Sequence, residues 1–248
     1  MQVRQLSMLK IQSFGMTDIG MKRKVNQDCF LVDDSLQLYV VADGMGGHRA
    51  GEVASQLAIE ELKKFVADNS MLDGREMLVN GINRSCTAIY QKAKENEDLA
   101  GMGTTVLALI FQSNCAFIGQ VGDSRAYLIN PHGVWQLTED HSLLNEELRS
   151  GRLASSQVAN YQFKNVITRS VGYESHVNVD VYRRNVYSDD SFLLCTDGLS
   201  GLVEIEELQK EIRAHGIEQG VRNLVSLANQ RGGDDNITAL ACHVELTP

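Results

Sequence analysis

Short apolar runs alternate along the chain with longer stretches in which apolar residues recur at three- and four-residue steps. "CFLV" (29–32) and "LQLYVVA" (36–42) read as strands separated by the acidic turn Asp33–Asp34–Ser35. The period then changes. Val53, Ala54, Leu57, Ala58, Leu62, Phe65 and Val66 predict an amphipathic helix, and Leu78, Ile82, Cys86, Ile89 and Ala93 predict a second. Strand character returns in "TTVLALIF", "CAFIGQV", "RAYLI" and "VWQLT" between residues 104 and 138, and the tight connectors between these runs predict consecutive antiparallel hairpins. Residues 140 to 175 are more polar, with small helices expected near 142–150 and 155–159, and read as a flap or insertion. Strands are expected again at "VNVDVYR" (177–183) and "SFLLCT" (191–196). Helices at about 204–213 and 217–230 and a closing strand, "NITALACHVEL" (236–246), follow. Blocks of strands and blocks of helices point to an α+β fold with antiparallel sheets inside and helices outside.

Bulk properties change this picture little. A chain of 248 residues with 43% hydrophobic and 22% charged residues, without an internal repeat or low-complexity linker, is expected to form a single globular domain over residues 1–248. The longest wholly apolar stretch, "VLALIF", is too short to cross a membrane, and the opening residues lack the apolar core of a signal peptide. Five cysteines without a C-x-x-C pair read as reduced thiols of a cytoplasmic protein. A net charge of −9 argues against nucleic acid as a partner.

The chemistry is concentrated where strands meet turns. "VVADG" (40–44) and "LLCTDG" (193–198) each end a buried strand on Asp then Gly. "GGDDN" (232–236) places two aspartates before the last strand, "VGDSRAY" (121–127) sets Asp123 in what reads as a hairpin turn, and "NQDCF" (26–30) opens a strand on Asp28. Singly, each is an ordinary turn or cap. Together they gather carboxylates in a partly dry place, where they repel one another unless cations compensate. Oxygen ligands without His or Cys at zinc spacing favour Mg²⁺ or Mn²⁺. Gly44, following Asp43, lets the backbone approach closely, so its carbonyl is a further candidate ligand. A pair of such ions activates water for displacement at phosphorus.

Seven segments, "RKVNQD" (23–28), "VVADGMGGHRAGEVAS" (40–55), "GMGTT" (101–105), "GDSRAYL" (122–128), "TEDHSL" (138–143), "LLCTDGL" (193–199) and "GGDDNIT" (232–238), occur in the order found in bacterial protein phosphatase 2C-type enzymes. The chain resembles this PPM family of metal-dependent serine/threonine phosphatases over about residues 14 to 246. The resemblance implies a sandwich of two antiparallel β-sheets flanked by α-helices, with a flap at about 140–175. It implies that Asp43 bridges two core ions, that Asp197 and Asp235 complete the first, and that the Gly44 carbonyl and Asp28 serve the second. Asp123, with Asp197, resembles the pair holding a weaker third ion, and Arg23 the arginine that grips the substrate phosphate. Within "GGDDN", composition leaves Asp234 and Asp235 open; the family pattern selects Asp235. The implied reaction is hydrolysis of phosphoserine and phosphothreonine in proteins by a water bridging the ions. A serine/threonine kinase would be the natural counterpart, and the chain would act as a monomer.

Two positions depart from animal members of the family: Met45 in place of His leaves the acid for the leaving group unassigned, and Gln27 in place of Glu removes one indirect ligand charge. His48 reads as a surface or helix-start residue, and His141 with the adjacent Asp140 as a structural hydrogen-bonded pair. The alternatives are a non-catalytic phosphoprotein-binding module of the same fold, against which the presence of Asp43, Asp197 and Asp235 argues, and a two-metal phosphoesterase acting on small phosphate esters.

Overall fold

In a computed structural model, residues 8–47, 50–163 and 166–247 are described. The chain opens with strand β1 (Met8–Asp18), then β2 (Asp28–Asp33) and β3 (Leu38–Met45), and helices α1 (Ala50–Asp68) and α2 (Gly74–Glu95). Five strands follow: β4 (Gly103–Thr104), β5 (Val106–Gln112), β6 (Cys115–Val121), β7 (Arg125–Asn130) and β8 (Gly133–Gln136). Helix α3 (Leu143–Arg149) and a 3₁₀ turn (Ser155–Asn160) lie in the stretch before β9 (Asp180–Asn185). Strand β10 (Ser191–Cys195), the short helix α4 (Asp197–Ser200), α5 (Ile205–Gln230) and β11 (Ile237–Thr247) complete the chain.

The strands form two antiparallel sheets, ordered β1-β11-β10-β7-β8 and β2-β3-β5-β6-β9, with β4 beside β3. Side-chain alternation sorts each strand between two layers of core. In β3, Leu38, Val40 and Ala42 face α1 and α2, whereas Tyr39 and Val41 face the other sheet. In β10, Phe192 and Leu194 fill the inter-sheet core while Leu193 and Cys195 pack toward α5. The layers are therefore helix, sheet, sheet, helix, as the sequence pattern implied. Fully apolar strands result because both faces are covered. The five cysteines are free thiols, four of them buried.

Three details differ from the sequence expectation. Strand β1 has no counterpart in it, and Asp28 opens the second strand rather than the first. On the inner face of β1, Leu9 and Ile11 are followed by Ser13, which donates to Asp34, and Gly15, which lies against the Phe30 ring. Phe14 and Met16 point to the helix side, so the apolar period is diluted on both faces. Second, β6 and β7 are not a hairpin: they belong to different sheets, and Gly122–Asp123–Ser124 is a crossover between them. Gly122, at φ 106°, makes that turn in the region open to glycine. Third, the ladder of β9 begins at Asp180, although Val177 and Val179 already pack on the helix-side core. The two helices expected after residue 204 run end to end, broken at Gly216, whose φ of 73° is not helical. Among the described residues, no helix is long and apolar enough to cross a membrane.

Candidate functional site

One cavity of about 360 Å³ is walled in part by Arg23, Asp43, Gly44, Asp123, Asp197 and Asp235. Asp28 stands directly opposite Asp43 in the β2–β3 register and is 8% exposed. The fold thus brings all seven candidate residues to one end of the sandwich. Two hairpin strands deliver Asp28 and Asp43. The adjacent strands β10 and β11 deliver Asp197, at the start of α4, and Asp235, just before β11. The crossover delivers Asp123. Gly44 is packed so tightly against the backbone of Gly51 and Gln27 that a Cβ would overlap both.

Threonines from the other sheet hold Asp28. Thr196 Oγ1 and Thr238 Oγ1 both donate to its Oδ2, at 2.8 and 2.6 Å, and both threonines are fully buried. Its Oδ1 has no partner, and neither does Asp197 Oδ1. Acceptor-only oxygens left unpaired in a dry place are costly. The titration behaviour follows. Burial first, then the charges of Asp197 and Asp235, push Asp28 up to about 7 against the two threonine bonds. Burial, with Asp197 and Asp140 nearby, pushes Asp123 to about 7 as well. Asp43 is raised well above the ordinary carboxylate range by burial and by four surrounding aspartates, and Asp197 is raised by burial and Asp235.

Arg23, about half exposed, turns its guanidinium onto Asp235, with Nη2 donating to Oδ2 at 2.6 Å. The other oxygen of Asp235 accepts from the Asn236 amide N–H at 2.8 Å. Lys22 pairs in the same way with Asp234. The segment carrying Arg23 is fixed by Asn236, whose Nδ2 donates to the Ile19 and Val25 carbonyls while its Oδ1 accepts from the Gln27 N–H. A second set of bonds joins the Asp43 and Asp123 loops. Asp43 N–H donates to Thr105 Oγ1 at 2.9 Å, and Thr105 Oγ1 meets Ser124 Oγ at 2.8 Å. Thr105, Ser124, Thr196, Asn236 and Thr238 were not singled out from the sequence. Each is within two residues of a candidate aspartate or in a quoted motif, which was the one available signal.

The expected Asp140–His141 pair is not formed. Asp140 takes a forked contact from Arg125, with Nη2 to Oδ2 at 2.7 Å, and His141 bonds Asp180 and Gly122 instead. Neighbours along a chain point apart, so partners come from other elements. His48 lies outside the described residues.

Among the described residues, no group of three or more His, Cys, Asp or Glu side chains is preassembled to hold an ion. Asp235 is engaged by Arg23 and the Asn236 N–H. The donors nonetheless suit a hard divalent cation. They are all oxygens, two of them unpaired, and the raised titration of Asp28, Asp43, Asp123 and Asp197 marks a deficit of positive charge. Mg²⁺ in particular needs only a few protein oxygens and keeps several waters. The fold and the acidic cavity thus define a class of protein built around hard cations.

Comparison with known proteins gives that class its family. Residues 21–240 match the family model for protein phosphatase 2C. A serine/threonine phosphatase, stp, of Listeria monocytogenes is 38% identical over 241 residues, covering 93% of this chain and 95% of the relative. The solved structure of the Mycobacterium tuberculosis serine/threonine phosphatase PstP/Ppp superposes with a TM-score of 0.89 at 31% identity, over 95% of this chain and 99% of that one. A structure of the PstP catalytic domain in complex with two manganese ions gives a TM-score of 0.86 at 31% identity, over 96% and 99%. The chain belongs to the protein phosphatase 2C family.

Proposed function

We propose that the chain is a divalent-metal-dependent protein phosphatase that removes phosphate from phosphoserine and phosphothreonine. The observation that carries this reading is the convergence of Asp28, Asp43, Asp123, Asp197 and Asp235 on one cavity, with two carboxylate oxygens unpaired and four of the acids raised. Asp43 would bridge two ions, Asp197 and Asp235 would complete the first, and the Gly44 carbonyl and Asp28 would serve the second. Asp123 with Asp197 would hold a weaker third. Either Mg²⁺ or Mn²⁺ suits these oxygens. When bound, such ions supply positive charge for the phosphate and acidify the attacking water.

The chain's own side chains do the rest. Asp28 is held by its two threonines through Oδ2, which leaves Oδ1 without a protein donor, so that it would be available to a cation. Arg23, released from Asp235, offers a planar fork of donors matched to phosphate oxygens. Both ring nitrogens of His141 are engaged, so it has none to give the leaving group. Phosphoproteins made by a serine/threonine kinase are the expected substrates, with the chain acting as a cytoplasmic monomer. Residues of about 140–175 would form a flap beside the site.

The test is phosphate release from a phosphothreonine peptide, titrated with Mn²⁺, for the wild type and Asp197→Ala. Manganese-dependent turnover lost in the variant is expected. Absence of turnover in a wild type shown separately to bind Mn²⁺ would favour a phosphoprotein-binding module. Faster turnover of small phosphate esters, with the peptide untouched, would favour a general phosphoesterase.

A further inference from the structure

The crossover that carries Asp123 is a three-residue link between two sheets, with no ladder of its own to hold it. Its anchorage comes from side chains. Gln120 Nε2 donates to the carbonyls of Gly122 and Ser124, at 3.2 and 3.3 Å, and Ser124 Oγ meets Thr105 Oγ1. His141 meets both backbone groups of Gly122, sharing the carbonyl with Gln120. Gly122 N–H donates to His141 Nδ1 at 3.0 Å, and His141 N–H donates to the Gly122 carbonyl at 3.0 Å. His141 is 6% exposed.

The tautomer follows from the partners. Nδ1 faces an amide N–H and so must accept, which leaves the proton on Nε2. That nitrogen lies 2.9 Å from Asp180 Oδ2 and donates to it. The second oxygen of Asp180 accepts from Arg169 Nη1 at 3.0 Å. The His141 carbonyl in turn accepts from Thr168 N–H at 2.8 Å. The imidazole therefore ties the Asp123 turn, one residue from its carboxylate, to the first residue of β9 and to the polar stretch before it.

We propose that His141 is a positioning residue, whose clamp on Gly122 fixes the Asp123 carboxylate for the weaker third ion. This rests on the reading of Asp123 as an ion ligand. The Asp180 contact is then support for the ring rather than part of the ion site.

The two nitrogens can be separated by substitution. His141→Asn keeps an acceptor close to the place of Nδ1 but cannot reach Asp180. His141→Gln sets a donor close to the place of Nε2 but offers the Gly122 N–H no side-chain acceptor. Calorimetric Mn²⁺ titrations of the full chain, with melting temperatures alongside, would be made for the wild type, both variants and Asp123→Asn. The weakest Mn²⁺ binding step of His141→Gln is expected to weaken about tenfold, the scale of one lost hydrogen bond. The tighter steps should be unchanged. In His141→Asn the weakest step should stay within about twofold of the wild type, the bond to Gly122 being kept. Equal effects of the two variants on that step, a larger effect of Asn than of Gln, or no effect of either, would overturn the assignment of His141. A drop in all steps that follows the loss of melting temperature would overturn it too, by making the role merely structural. If Asp123→Asn leaves the weakest step intact, the ion-ligand reading of Asp123 fails, and the clamp's function fails with it.

Discussion

The two ends of strand β2 carry the same side chain in opposite conditions. At one end Asp33 accepts from Ser35 Oγ and Leu36 N–H and pairs with Lys63 at 2.9 Å. The Ser35 bond, with Lys63 and Leu36 behind it, holds its carboxyl down at about 2. Four residues of regular ladder separate the ends, and at the other Asp28 is pushed to about 7 by burial and neighbouring aspartates. Asp33 has all the partners it needs inside the protein. Asp28 and the acids around it do not, and the missing charge must come from outside. The well-packed strands between the ends make this possible, since Leu38 to Ala42 of β3 are fully buried and hold the acids in place. Stability is stored in the body of the sandwich and withheld at one end of it, where function requires an unsatisfied site.

Removing an acid from each end should separate these roles. Asp43→Asn is expected to lower turnover of a phosphothreonine peptide by about 10³-fold or more, since it takes charge from the centre of the proposed ion site. The same change should raise the melting temperature of the metal-free protein near pH 8, because it relieves repulsion. A lowered melting temperature would mean that the carboxylate is structural.

The pH dependence of the metal-free protein sharpens the contrast. Asp28 and Asp123 titrate near 7 in the fold against an ordinary value of 3.8, so they bind more protons folded than unfolded. Their contribution is fully present below the ordinary value and is lost as pH rises through about 7. Asp33 has the opposite sign: its contribution is present above 3.8 and lost as pH falls through about 2. Between about pH 5 and about pH 8, a scan without metal is expected to show the melting temperature falling by about 5 °C. Excess Mg²⁺ or Mn²⁺ should remove most of that fall. A flat profile would contradict the charge deficit.

Smaller effects should come from the supports. Thr238→Val removes a 2.6 Å donor from Asp28 while keeping the shape, and should weaken divalent-ion binding about tenfold in calorimetry. Asp33→Asn should leave turnover within about twofold, and cost about 1 kcal/mol of stability in a denaturant titration. A comparable loss of turnover at both ends would erase the distinction.

Much of this organisation is legible in the residues themselves. The layers could be read because β3, β5, β6 and β10 are apolar on both faces, and the acids because each interrupts or borders such a run. Strand β1 was hidden, since its inner face ends in Ser13 and Gly15 where Phe30 supplies the bulk. The crossover at Asp123 is not legible, because a Gly-Asp-Ser turn looks alike whether it returns to the same sheet or passes to the next. The partners of His141 and Asp140 come from Asp180, Gly122 and Arg125, and pairings between separate elements leave no local periodicity. The threonines on Asp28 lie at sequence separations of 168 and 210, contacts that only the packed sheets create.

The central claim, that the acidic end of the sandwich is completed by divalent cations, is tested most directly by calorimetry of Mn²⁺ binding at pH 7 in two buffers of different ionisation enthalpy. Asp28 and Asp123 titrate near that pH, so ion binding should displace protons from the cluster. The expected result is binding of at least a pair of ions with net proton release, the release vanishing at high pH and both reduced in Asp43→Asn. Absence of binding, or binding that releases no proton and is indifferent to Asp43, would contradict the account.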